Sequence, residues 1–189
     1  SLATAIVVDD LPQDQVMTGF TDGATSQPAA VQTRAAVCHD GERLQFIVEC
    51  MEPKMDGLVA EMEPAGEGND AYVFSDDCVE VFVSPQGTET EYYHFAANSL
   101  GARFDEKAND QSWAADWTAE TSVGEDRWTL EVTIPFSALG GMPSGDAVWW
   151  INVSRQRQAA GKLELSSWSD TGQNFHDVSR FGRLTFSDD

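Results

Sequence analysis

FSDDCVEVFVSPQG, residues 74–87, is the stretch that decides the fold. Val79, Val81 and Val83 alternate with Cys78, Glu80 and Phe82, and Pro85 and Gly87 end the run. An alternation of period two is a β-strand with different chemistry on its two faces. The valine face reads as core. The other face sets a glutamate between a cysteine and a phenylalanine, which is neither ordinary core nor ordinary surface.

The same texture extends along the chain: short apolar-alternating runs separated by turn residues, the pattern of an all-β protein. Strands are predicted at Ala5–Val8, Val31–Cys38, Leu44–Met51, Cys78–Ser84, Glu91–Asn98, Thr118–Ser122, Arg127–Pro135, Val148–Arg155, Glu164–Ser167 and Arg183–Phe186. His39-Asp40-Gly41-Glu42 is a hairpin signal centred on Asp-Gly. Residues 52–72, rich in Gly, Pro, Met and acid, read as a long excursion, and Pro135–Gly140 as a single helical turn. The expected fold is an antiparallel β-sandwich, jelly-roll-like, with long loops and little helix, forming one domain over residues 1–189. Parity sorts the strands further. Trp128, Leu130, Val132 and Ile134 share one face, opposite a wet face with Arg127 and Glu131. Tyr92, His94, Ala96 and Asn98 form a mixed face like that of Glu80.

Composition narrows the function classes. The formal charge of -21, from 32 acidic and 11 basic residues, repels nucleic acid and anionic membranes and disfavours sulfated or uronate-rich polymers. No apolar run reaches the length of a membrane span, and no signal peptide opens the chain at Ser1. Cys38, Cys50 and Cys78 lack metal or redox spacing and read as free thiols, with a Cys50–Cys78 bridge as the alternative. Asp9-Asp10, Asn69-Asp70 and Asp76-Asp77 raise a calcium reading, though no local loop has calcium-ligand spacing.

FSDDCVEVFVSP, YYHFAANSLGARFD, RWTLEVTIPFSALG, VWWINVSRQR, SSWSD and FHDVSRFGRLTF follow one another in this order. Together, from about Thr33 to Phe186, they resemble the family 9 carbohydrate-binding modules, β-sandwiches related in fold to the DOMON domains. The resemblance implies a non-catalytic module, secreted, periplasmic or at the cell surface within a larger enzyme, needing no cofactor beyond structural calcium. It implies two aromatic walls around a terminal sugar, at Phe74 and Phe175, and polar readers at Glu80, Asn98 and Ser154. His94, Arg157, Trp168 and Asn174 are secondary candidates for the same site. The chain departs from the pattern where phenylalanine replaces both expected tryptophans, and where Ala96 and Ser154 stand in place of an arginine and a glutamine. A phenylalanine ring still stacks on a pyranose, with less area and no N–H donor. The lost arginine removes a charge-assisted donor.

Each candidate has a plainer reading. Phe74 and Phe175 suit packing at loop edges, Asn98 suits the Asn-Ser-Leu-Gly strand end, Trp168 suits the core, and His94 suits a neighbour of the site. Three other functions compete with glycan binding. A spacer domain would need no site. A DOMON-like haem domain would need a methionine paired with His94 or His176. A small glycosidase would need two facing carboxylates, and the candidate partners of Glu80, Asp76 at the strand entrance and Glu131 on another wet face, are badly placed.

Overall fold

The computed structural model describes residues 15–64 and 71–186. In chain order its strands are β1 (Val16–Met17), β2 (Thr21–Asp22), β3 (Thr33–His39), β4 (Arg43–Met51), β5 (Cys78–Ser84) and β6 (Tyr93–Asn98). They continue with β7 (Arg103–Lys107), β8 (Thr118–Val123), β9 (Arg127–Pro135), β10 (Val148–Arg157), β11 (Glu164–Ser167) and β12 (Gly182–Thr185). One sheet has the order β1-β3-β4-β9-β8; the other runs β2-β11-β10-β5-β6-β7, with β12 also paired to β10. All pairs are antiparallel. Among the described residues helix is limited to short 3-10 turns, one of them Phe136–Leu139, closed by Gly140 at φ 94°. The antiparallel β-sandwich is therefore the observed fold.

Local chemistry accounts for the strand ends. At the β3–β4 hairpin, Asp40 Oδ1 accepts the backbone N–H groups of Glu42 and Arg43, and Gly41 takes φ 89°, where a side chain would be strained. Between the sheets, Phe46 and Val48 of β4 and Trp128, Leu130 and Val132 of β9 meet Val79, Val81 and Val83 of β5 and Ile151 and Val153 of β10. The valine face of residues 74–87 is thus core, as its alternation implied.

The two sheets differ in what lies outside them. β9 keeps its alternation, each buried residue followed by a half-buried one, so its outer face is wetter. In β5 and β6 every residue is buried, because both faces are covered. The excursion after β4 and the loops between β11 and β12 supply that cover: Met62 and Val59 bond to Asp76 and Asp77, and Phe175, Val178 and Phe181 pack on Phe82. The Glu80 face is therefore largely covered by other parts of the chain, which leave a cleft between them over Glu80 and His94.

Several expectations change. β1, β2 and β7 were not foreseen, β10 extends to Arg157, and β6 begins at Tyr93. Among its described residues the excursion contains one 3-10 turn, Met55–Gly57. The strand expected at Ala5–Val8, and the acids Asp9-Asp10 and Asn69-Asp70, lie outside the described residues. The three cysteines are free thiols; burial pushes Cys50 up to about 11 and also holds Cys78 well above the ordinary thiol value.

One charged cluster joins the sheets at their ends. Glu52, fully buried just past β4, receives Arg157 through Nε and Nη2 at 2.7 Å each, and Arg155 through Nη2 at 3.1 Å. Arg155 Nη1 also donates to the carbonyl of Met51 at 2.9 Å, so β10 is tied to the end of β4 twice over. Burial disfavours the Glu52 carboxylate, but the Arg157 hydrogen bonds and the two cations outweigh it and hold the carboxyl below its ordinary value. A folded-state value below the unfolded one means the cluster stabilises above the usual carboxylate range and weakens as pH falls through the folded value. Glu52→Gln leaves the buried Arg155 guanidinium without its anion and Arg157 with Glu164 alone, with an expected loss of about 3–5 kcal/mol in urea unfolding at pH 7. The difference between wild type and Glu52→Gln is expected to shrink as unfolding is repeated at pH values falling from the ordinary carboxylate range through the lowered native value, where Glu52 takes up its proton.

Candidate functional site

An open cleft of about 410 Å³ lies on the outer face of the second sheet. Its floor is built by register. Glu80 stands opposite Ala96 on β6 and Ser154 on β10, while Phe82 stands opposite His94, and His94 opposite Glu106 on β7. Residues opposite one another point to the same face, and diagonal neighbours are within reach of long side chains. Glu80, His94, Glu106 and Gln156 therefore converge. His94 Nε2 lies 2.8 Å from Glu80 Oε2 and its Nδ1 lies 3.0 Å from Glu106 Oε1, while Gln156 Nε2 donates to the other oxygen of Glu80 at 2.7 Å.

Charge on this floor is fixed by burial and pairing. Burial disfavours a cationic His94, but its hydrogen bonds to Glu106 and Glu80 outweigh that and raise its pKa above the ordinary histidine value. The bond to His94 in turn lowers Glu106. His176 goes the other way, lowered by burial and by the neighbouring His94 charge. The Tyr92 hydroxyl, 2.8 Å from His176 Nδ1, is pushed up to about 12 by burial and by Glu106. The rings are held by packing. Phe82 stacks on His94 with centroids 4.3 Å apart and planes 5° apart, and it meets His176 edge-on at 5.1 Å.

The walls bring together Phe74, Phe175 and Asn174 with Glu80 and His94, five of the nine candidate residues. Phe74 is partly exposed and meets Phe104 edge-on at 5.0 Å; Phe175 is 6% exposed and packs with Phe82 and Phe181. Where the resemblance expects an arginine, the small Ala96 leaves room for Phe104 and Phe74, which belong to its apolar cluster. The cation beside Glu80 comes instead from His94 on the same strand.

The other four candidates stand elsewhere. Asn98 is an internal brace: its Nδ2 donates to Met62 O and Asp76 Oδ2, and its Oδ1 accepts the backbone N–H groups of Leu100 and Ala102. The turn chemistry of Asn-Ser-Leu-Gly decides its role. Ser154 shares the face of Glu80 but is fully buried and does not line the cleft. Arg157 has the same parity as Arg155 and is committed to Glu52 on the opposite face. Trp168 packs on the inter-sheet core, its ring so close to Gly182 that a Cβ there would stand 2.1 Å from it.

Asp76 and Asp77 do not fit a cation. Asp76 accepts from the N–H groups of Glu61 and Met62 and from Asn98, and Asp77 from those of Val59 and Gln158, so N–H donors face all four oxygens. Among the described residues the cleft lining holds no methionine, so the methionine–histidine pairing weighed for haem is not assembled there. Sequence reasoning missed Glu106, Gln156, Tyr92 and the placement of His176 as parts of this site. Gln156 was within reach, because it shares the parity of Ser154. Glu106 was hidden in the unforeseen β7.

The family described as "Carbohydrate family 9 binding domain-like" matches residues 9–189. No curated protein matches the sequence. Solved structures share the fold. One from Bacteroides uniformis is 21% identical, with a TM-score of 0.69 over 91% of this chain and 86% of the other. A family 9 carbohydrate-binding module from Caldicellulosiruptor kristjanssonii, in complex with cellotriose, is 13% identical, with a TM-score of 0.66 over 98% and 90% of the two chains. A structure of a family 9 module from that organism with glucose gives 14%, 0.64, 100% and 96%.

Asn98→Ala removes the brace between Asp76, the excursion and the turn after β6. The expected result is a loss of about 1–3 kcal/mol in urea unfolding, with faster proteolysis near residues 58–64 than in wild type.

Proposed function

The chain belongs to the Carbohydrate family 9 binding domain-like family, and we propose that it is a non-catalytic module that holds a sugar, or the end of a polysaccharide, in the cleft on its second sheet. The observation that carries the reading is a partly exposed aromatic, Phe74, beside a fixed hydrogen-bonding set in an open cleft. The C–H face of a pyranose packs on Phe74, and Phe175 closes the opposite boundary as a buried wall. Hydroxyls of the ring exchange water for Glu80, Gln156 and Asn174, whose side chains border the same space. The related modules that hold cellotriose and glucose support this choice of ligand class.

Two features favour a neutral ligand and binding without chemistry. The net charge of -21 and the two carboxylates on the cleft floor oppose an anionic glycan. Those carboxylates, Glu80 and Glu106, are bridged by His94 from both sides, so neither is free to act as acid or nucleophile. Binding to a single sugar is weak, because one stacking surface and a few hydrogen bonds must offset the cost of immobilising both partners. In this reading the module is a single domain that tethers a larger secreted carbohydrate-active enzyme to its polymer.

Calorimetry with glucose, cellotriose and a uronate-containing oligosaccharide tests the proposal. Saturable binding of a neutral sugar is expected, with none of the uronate. Phe74→Ala is expected to weaken cellotriose at least tenfold, about 1.4 kcal/mol. An unchanged affinity in Phe74→Ala would remove the cleft as the binding site.

A further inference from the structure

Glu80, His94 and His176 each offer one ligand atom, and these atoms lie within 4.8 Å of one another. Two imidazoles and one carboxylate form a donor set suited to a borderline divalent transition ion, with one position left for water. The acid clusters that suggested calcium are a different chemistry, all oxygen and elsewhere in the chain.

What separates this trio from a chance meeting of polar groups is the support behind each donor. A metal-bound histidine ordinarily gives its second ring N–H to a carboxylate or another acceptor, which fixes tautomer and orientation. His94 has Glu106 Oε1 at 3.0 Å from Nδ1, which leaves Nε2 toward Glu80. His176 has the Tyr92 hydroxyl at 2.8 Å and Glu106 Oε1 at 4.0 Å from Nδ1, so Nε2 is the ring nitrogen not engaged by either. Gln156 holds the far oxygen of Glu80 at 2.7 Å. Phe82 lies against both rings, stacked on one and edge-on to the other. All three donors line the open cleft, so an ion could enter and keep a coordination position toward solvent.

We propose that Glu80, His94 and His176 form a binding site for a divalent transition-metal ion of the zinc type on the floor of the cleft, with Glu106, Tyr92 and Gln156 as positioning residues. Two donors that share an ion at about 2.1 Å stand about 3–4 Å apart. His94 and Glu80 are already at 2.8 Å, and His176, in the loop before the 3-10 turn Val178–Arg180, closes the remaining gap by a small shift. The incoming ion replaces the proton that His94 and Glu80 share, and that proton goes to solvent. In the loaded site His94 Nδ1–H donates to Glu106 and His176 Nδ1–H donates to the Tyr92 oxygen. The site needs no sugar, and so goes beyond the carbohydrate reading.

The test is a titration of the metal-stripped full chain with Zn2+ in the absence of sugar and in excess Mg2+, which occupies non-specific acidic sites. One ion per chain is expected to bind, and Co2+ in its place is expected to show the intense visible bands of a four- or five-coordinate ion. His176→Ala removes a donor from a partly exposed loop and is expected to lower Zn2+ affinity at least tenfold with an unchanged circular dichroism spectrum. Glu106→Gln is expected to lower it about 10- to 100-fold, chiefly through its bond to His94. Absence of stoichiometric Zn2+ binding would overturn the proposal. So would equal affinity in wild type and His176→Ala, or a Co2+ spectrum with only the weak bands of a six-coordinate aqua ion. Because sugar is absent, none of these outcomes bears on carbohydrate binding.

Discussion

A carboxylate on a strand whose every residue is buried has to find its partners inside the protein, and Glu80 sets that requirement for the whole second sheet. It is 2% exposed. A buried unpaired charge costs several kcal/mol, enough to consume much of a domain's stability. The requirement is met from three directions: His94 on the next strand, Gln156 on the strand to the other side, and Glu106 one strand further out to balance the histidine. Register makes this work, since a shift of one residue in either pairing would turn the partners to the wrong face. The cleft floor is therefore part of what makes the sheet foldable as well as the proposed surface for binding.

The fold was legible where each strand had two chemically distinct faces. β5, β9 and β11 have the limits that alternation and turn residues indicated. β7, Arg-Phe-Asp-Glu-Lys, was not legible, because four charged residues in five look like a solvated loop. Its Glu106 is charged for the same reason that Glu80 is, to complete a buried network, and local composition carries no trace of a partner on another strand. β1 and β2 are two residues each, too short for any periodicity. The sequence also gave no sign that the Glu80 face would be covered, since that cover comes from loops whose anchors, Asp76 and Asp77, looked like metal ligands.

Of the candidate site, the residues around the two aromatic positions came together, while those placed by register alone divided. Asn98 sits in a turn whose own hydrogen bonds claim the side chain, and Arg157 follows the parity of Arg155 into the Glu52 cluster. The missing arginine at Ala96 has a physical counterpart. Its volume is taken by Phe74 and Phe104, and its charge beside Glu80 is taken by His94. An imidazolium is smaller than a guanidinium and already has both N–H groups engaged, so it offers less to a ligand directly. In the proposed mode of binding, hydrogen bonding to the sugar therefore falls to Gln156 and Asn174, which line the same cleft.

The meander β5–β6–β7 also has a consequence in time. Glu80 and His94 are 14 residues apart, and His94 and Glu106 are 12 apart, so the ionic floor closes through short loops. The Tyr92–His176 contact spans 84 residues and Gln156–Glu80 spans 76, and closing longer loops costs more chain entropy and comes more slowly. By loop closure alone the ionic floor is therefore the cheaper part of the cleft to assemble, and the wall of Phe175 and His176 the costlier.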